Sequence, residues 1–339
     1  KSGFDKVFIQ VRGRGDALYN SGIVPRNPLL TPNDFDPLAH TILLGKILNI
    51  EVHIWFNTYI LWSSRVEPKD QSHIYHTNKD WTEANLYGKM DWRMDLKSTR
   101  APNWEGIYLA PTHPEVNPYL RSVIHEIMDN YDIDGIHFDY IRYQDDIYGY
   151  NSEGRKRFEN IYTIDPLDIA KGIISTRFGW TQEFVDSINI AWDRFRQDAV
   201  TELIQMVWED IITDNREVQL SAAVKPNLPM AKDRYFQVWE YWLESGLLDF
   251  VVPMNYYSEI TDFNRDIQFM KVNLVEEDLK NVIMGIATYN QDAQSAADKI
   301  LIARLNGFSG VSIFSYDAHK NNLDWFSPLI DALGYPFEE

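Results

Sequence analysis

The run Asp134-Gly135-Ile136-His137-Phe138-Asp139-Tyr140-Ile141-Arg142-Tyr143 sets acid, imidazole, guanidinium and phenol groups on one short β-rich stretch. Strand alternation puts His137, Asp139 and Ile141 on one face and Ile136, Phe138 and Tyr140 on the other. The second set is apolar enough to lie under helices, so the first is expected to point inward. A carboxylate near the C-terminal end of an inward-facing strand sits where α/β-barrel enzymes keep catalytic groups. Cleavage of a glycosidic bond needs such a carboxylate, to attack the anomeric carbon or to stabilise its positive charge. Asp139 is therefore the expected nucleophile or transition-state stabiliser, with His137, Arg142 and Tyr143 positioning it or holding sugar. The alternative is a structural Asp139, tied to Arg142 or to a neighbouring strand.

Other strand ends supply further candidates. Arg12 and Arg14 flank the Gly13 and Gly15 turn, and either could hold a carboxylate or a sugar hydroxyl. Trp55 and Asn57 share a face with His53. Lys225, Tyr256, Tyr289 and Tyr316 close later strands. A second catalytic carboxylate is sought in Glu259 and Asp317, just past strand ends, or in Glu105 within a long loop. It must lie about 5–9.5 Å from Asp139, the separation deciding retention or inversion.

These residues need a scaffold. Short β-rich runs recur at Lys6–Arg12, Glu51–Asn57, Gly135–Tyr143, Val218–Pro226, Leu248–Tyr257, Asn281–Asn290 and Gly310–Tyr316. Helical patterns lie between them: one opens at Asp36-Pro37, one at Asn117-Pro118, one spans Val200–Ile211, and one stops at Gly307. Alternating β and α elements imply a parallel sheet with helices outside. The expected fold is a single (β/α)8 barrel over residues 1–339, with its first strand upstream of residue 1. Two βα loops are long, from Thr58 to about Glu115 and from Tyr143 to about Ile188, and such loops wall an active site. A doubly wound open sheet is the other α/β arrangement, but no Gly-rich dinucleotide loop follows a strand.

Composition narrows the function. With 32 Lys and Arg against 50 Asp and Glu, the net charge of −18 disfavours nucleic acid and anionic lipid as partners. There is no apolar run of membrane-spanning length, so membrane insertion is not expected. The chain has no Cys, which excludes thiol catalysis and Cys-held metals. It carries no His-Glu-x-x-His and no Gly-x-Ser-x-Gly, so neither a metal, nor a cofactor, nor a serine nucleophile is expected. Aromatics reach 14%, including 11 Trp and 19 Tyr, and their flat faces suit the C–H faces of sugars.

Four blocks together resemble the glycosyl-hydrolase-like family 10 of bacterial envelopes: Phe8–Tyr19, Val52–Asn57, Leu109–Val116 and Asp134–Tyr143. The resemblance implies a (β/α)8 barrel that hydrolyses a bacterial polysaccharide or oligosaccharide. It also implies a secreted, periplasmic or cell-envelope protein whose leader lies outside this chain. Some family members are similar to enzymes that cut peptidoglycan strands stripped of peptides. Tyr19 closes the first block and joins Arg12 and Arg14 as a substrate-binding candidate. The family often pairs two Asp at the end of its signature strand, and this chain has Asp139-Tyr140. The same strand resembles Asp-Gly-x-Asp-x-Asp-x-Glu of family 18 chitinases, but His137 and Ile141 replace two of the acids, so that mechanism does not carry over. A non-catalytic glycan-binding barrel is the alternative from another functional class.

Overall fold

The structure is a computed structural model that describes residues 3–32, 34–94 and 104–334. Seven parallel strands form its centre: β1 (Lys6–Arg12), β2 (Glu51–Asn57), β3 (Gly135–Asp139), β4 (Gln219–Val224), β5 (Phe250–Pro253), β6 (Ile283–Ala287) and β7 (Gly310–Phe314). The first five are hydrogen-bonded in sequence order. β6 pairs with β7, and a bridge between Val251 and Val282 joins that pair to the edge of β5.

The sheet curls on itself. Inside it, Phe8 of β1 lies 6.5 Å from Phe250 of β5, and Trp55 of β2 lies 5.7 Å from Phe314 of β7, though neither pair belongs to neighbouring strands. The expected α/β-barrel architecture is borne out in this wall of parallel strands. The eighth position, between β7 and β1, holds no strand among the described residues.

Helices cover the outside. α1 (Pro37–Leu48) opens where Asp36 accepts a hydrogen bond from the Ala39 N–H and Pro37 presets the first turn. α2 (Val116–Asn130) and α3 (Gln182–Thr213) bury Leu120, Val123, Ile124, Val200, Leu203 and Ile204 completely. They share one core with Ile54, Phe56, Ile136 and Phe138 from the outer strand faces, also with no exposed surface. Each such side chain contributes roughly 1.5–3 kcal/mol by leaving water. That burial fixes the strand register, because a one-residue slip would turn Ile136 and Phe138 inward and Asp139 outward.

Several strands are shorter than expected, and two boundaries matter for the site. β3 ends at Asp139, not Tyr143, because Tyr140 takes a left-handed conformation at φ 51° and turns the chain out of the strand. In the second long loop, α3 begins at Gln182, and two short helices, Ser152–Tyr162 and Pro166–Ala170, precede it. They pack with α3 through a small core of their own containing Phe158, Leu167 and Trp192. The first long loop contains an antiparallel pair, Ile60–Trp62 with Ile107–Tyr108, which folds back over the strand ends.

Gly135 opens β3 where the His53 ring crosses from β2, and an added methyl would sit 2.1 Å from His53 Nδ1. Gly135→Ala is expected to cost about 1–3 kcal/mol of stability by overpacking. Urea denaturation checks it, and an unchanged midpoint would contradict this packing.

Candidate active site

Parallel pairing sets Trp55 beside His137 and Asn57 beside Asp139, so the last inward residues of β2 and β3 come up together. Asp139 is held from two sides. Its Oδ2 accepts a hydrogen bond from Trp55 Nε1 at 3.0 Å, and its Oδ1 accepts one from the Tyr140 N–H at 2.7 Å. Burial pushes the Asp139 carboxyl above its usual range. Arg142 and these two donors pull it down, while the charge on Glu105 adds to the rise.

The turn at Tyr140 brings Arg142 back over the strand end. Arg142 is almost wholly buried and lies over the rings of Tyr140 at 5.1 Å and Tyr235 at 5.3 Å. Its Nη2 donates to Glu105 at 3.0 Å. Glu105 also accepts from the Tyr108 hydroxyl at 2.5 Å. Burial alone would raise the Glu105 carboxyl, but Arg142 and Tyr108 outweigh it and hold Glu105 below the carboxylate norm. The two carboxyls of the site are thus pushed in opposite directions.

Lys225 follows β4 and stands with its ammonium 4.7 Å from the Tyr235 ring. Burial, then repulsion from Arg142, lowers it to about 8, against the attraction of Glu105 and Asp139. An aromatic group stands on the other side. Tyr256 stacks on Phe314 at 5.5 Å, and the exposed Tyr289 meets both rings edge-on. The Tyr256 hydroxyl is pushed up by burial and then by Asp139. The structure therefore gathers Trp55, Asp139, Arg142, Lys225 and Tyr256 with Glu105, while Tyr289 extends the aromatic group outward. Tyr108, Tyr140 and Tyr235 join them, and the sequence reading did not name these three as site residues.

The other expected site residues make different contacts. The register jumps between Gln10 and Arg12, a β-bulge that keeps Gln10 beside Trp55 but turns Arg12 beside Phe56. Arg12 is wholly buried, lies 5.3 Å from the Phe56 ring and donates to the carbonyls of Asn57, Thr58 and Ile60. Tyr19 donates to Glu126 of α2 at 3.0 Å. Tyr143 is fully buried, edge-on to Phe236 at 5.1 Å. His137 lies one layer below Asp139, 2.9 Å from the Ser221 hydroxyl and 4.3 Å from the Phe8 ring. Burial, with His53 nearby, lowers His137 to about 3, so it is neutral. Asn57 donates to the Gly13 carbonyl at 3.0 Å and keeps a buried Oδ1 without a partner. Arg14 is exposed, donating to Ser63 at 2.9 Å. Tyr316 is exposed and stacks on Phe326 at 6.1 Å. Glu259 is exposed beside Lys299, and Asp317 is exposed and paired with Lys320 at 3.2 Å. No cluster of three or more His, Asp or Glu suited to a metal occurs among the described residues.

This fold is that of the α/β-barrel glycoside hydrolases. The chain belongs to the glycosyl hydrolase-like 10 family, whose model matches residues 1–300. It is 23% identical over 273 residues to the glycosyl hydrolase YngK of Bacillus subtilis, covering 76% of this chain and 47% of that protein. It is also 23% identical over 265 residues to the glycosyl hydrolase DigH of Escherichia coli K12, covering 75% of this chain and 55% of that protein. The chain thus spans about half the length of the curated relatives it matches. The glycoside hydrolase domain of PgaB from Bordetella bronchiseptica superposes with a TM-score of 0.69 at 15% identity, covering 99% of this chain and 91% of that one, a likeness of fold.

Arg142→Met removes the cation that Glu105 is paired with. It is expected to cost about 1–3 kcal/mol, and Arg142→Met with Glu105→Gln should recover most of that loss. Thermal denaturation of the wild type, the two single variants and the double variant checks it. Additive losses would show that the pair does not act as a unit.

Proposed function

We propose that this protein is a glycoside hydrolase that cleaves a polysaccharide or oligosaccharide, with Asp139 as general acid and Glu105 as its ionised partner. The observation that carries the reading is the opposed environment of two carboxyls at one strand-end face: burial keeps Asp139 high, while Arg142 and Tyr108 keep Glu105 low. Divergent environments of this kind divide acid from base in glycosidases. The role differs from the expected nucleophile because burial, the largest influence on Asp139, favours its protonated form.

Asp139 would give its proton to the leaving glycosidic oxygen as the C–O bond breaks. Water would add to the anomeric carbon and pass a proton to Glu105. Trp55 orients the Asp139 carboxyl, and Tyr256, Tyr289 and Phe314 offer ring faces to the sugar. The family and the names of its relatives support a glycan as substrate. The reading extends this to a bacterial envelope glycan such as the peptidoglycan backbone, the class that the sequence resemblance implies. Such polymers lie outside the cytoplasmic membrane, so a secreted or cell-envelope location follows from the reading. No helix among the described residues is long and apolar enough to cross a membrane.

The test is incubation with a panel of bacterial and plant glycans, with released oligosaccharides read by mass spectrometry, for wild type and Asp139→Asn. Loss of the general acid is expected to lower turnover about 10²–10⁴-fold while binding persists. Melting should fall modestly, because the new amide NH2 must face either the Trp55 Nε1–H or the Tyr140 N–H, both of which now donate to Asp139. Full turnover in Asp139→Asn would remove it from the chemistry. Binding without cleavage by the wild type would favour a glycan-binding barrel.

A further inference from the structure

A second pair of acids, Glu83 and Asp91, lies wholly inside the first long loop. Neither belongs to the strand-end group. The backbone ties them together: the Asp91 N–H donates to the Glu83 carbonyl at 2.8 Å, and the Glu83 N–H donates to the Tyr108 carbonyl at 2.9 Å. Asp91 Oδ2 accepts from the Tyr108 N–H at 3.1 Å and from Gln144 Nε2 at 2.5 Å. Gln144 also donates to the Gly106 carbonyl at 3.2 Å. Glu83 Oε2 accepts from the N–H groups of Ala84 at 3.1 Å and Gly149 at 2.9 Å. The bonds to Tyr108, Gly106 and Gln144 fall within two residues of Glu105, Tyr108 or Arg142, on the two loops that meet there.

We propose that Asp91, backed by Glu83 and Gln144, is a positioning residue that clasps the Gly106–Tyr108 backbone to the segment after β3 and so holds Glu105 against Arg142. The inference rests on the reading of Glu105 as the ionised partner of Asp139. The clasp is built to carry protons. Asp91 Oδ1 and Glu83 Oε1 are buried without partners, which an anion tolerates poorly. Around Asp91 stand Glu83, Tyr148, Gln144 and the exposed Lys89. Around Glu83 stand Asp91, Tyr143, Tyr148 and Arg196. Burial raises Asp91 to about 7, against its donors Tyr108 and Gln144 and the charge of Lys89. Burial and then Asp91 raise Glu83 to about 8, against Arg196 and the Gly149 and Ala84 donors.

The direction follows from linkage. An opened loop would release these protons near pH 4, whereas the closed clasp keeps them to about 7 and 8. The closed form is therefore most secure at low pH. Opening grows easier as pH rises, by up to about tenfold per pH unit for each carboxyl, and levels off above about pH 8.

The experiment is hydrogen exchange on the intact protein from pH 5 to 9, corrected for the intrinsic rate and read at the Trp104–Tyr108 and Gln144–Gly149 amides. In wild type, protection there is expected to fall at least about tenfold between pH 5 and 8, while β1–β5 amides show no such slope. Asp91→Asn keeps an acceptor for the Tyr108 N–H, and Gln144 can turn its unpartnered Oε1 toward the new amide. That variant and Glu83→Gln should each have a shallower slope, and the double variant none. A flat wild-type profile, or a wild-type slope that survives in the double variant, overturns the clasp. Because exchange needs no substrate, a normally active Asp139→Asn would overturn the catalytic reading and leave this result standing.

Discussion

A guanidinium almost wholly out of water must be paired, and Arg142 is paired through a loop far away in sequence. Its carboxylate, Glu105, lies 37 residues upstream, on a segment that returns to the strand ends where Ile107–Tyr108 pairs with Ile60–Trp62. Without that pairing, Arg142 would be a buried charge with no counter-ion, and Glu105 would revert to an acid raised by burial. The same contact sets the electrostatics of Asp139, which feels Arg142 as attraction and Glu105 as repulsion. The site is therefore an assembly of several strand ends and two loops, and the loops supply Glu105 and Arg142.

Much of that platform was legible in the sequence. The seven strand positions follow from apolar runs bounded by helical periodicity, and alternation places Trp55, Asp139 and Tyr256 at inward strand ends because period 2 is rigid. What alternation cannot see is a break in the period. The bulge between Gln10 and Arg12 reverses the facing of Arg12, and nothing in Val11-Arg12-Gly13 marks it as different from a regular strand. The left-handed turn at Tyr140 does the opposite, delivering Tyr140 and Arg142 to the site although simple alternation sends Tyr140 outside. His137 shows a third limit. Its face was read rightly, but depth along the barrel depends on how far β3 rises above β4, and the layer shared with Phe8 and Ser221 is set by register between strands.

Loop residues were the least legible. Glu105 is one acid among several in a stretch without periodicity, and its role emerges only from tertiary contacts with Arg142 and Tyr108. Nothing in the sequence marks Glu83 and Asp91 as buried, since acidic side chains are almost never fully buried unless paired. Their burial shows that this part of the loop is packed and not solvated. A signal did exist in the aromatic residues scattered between Thr58 and Glu115, which are too many for a purely solvated loop.

The central claim is that Asp139 and Glu105 divide the work because their surroundings push their carboxyls apart. Site-resolved carbon-13 NMR titration of the side-chain carboxyls, assigned by difference against Asp139→Asn and Glu105→Gln, tests this without any substrate. The account predicts that Asp139 titrates above the ordinary Asp value of about 3.9 and Glu105 below the ordinary Glu value of about 4.3. The reverse order, with Asp139 ionising low and Glu105 high, would contradict it and exchange the acid for the base.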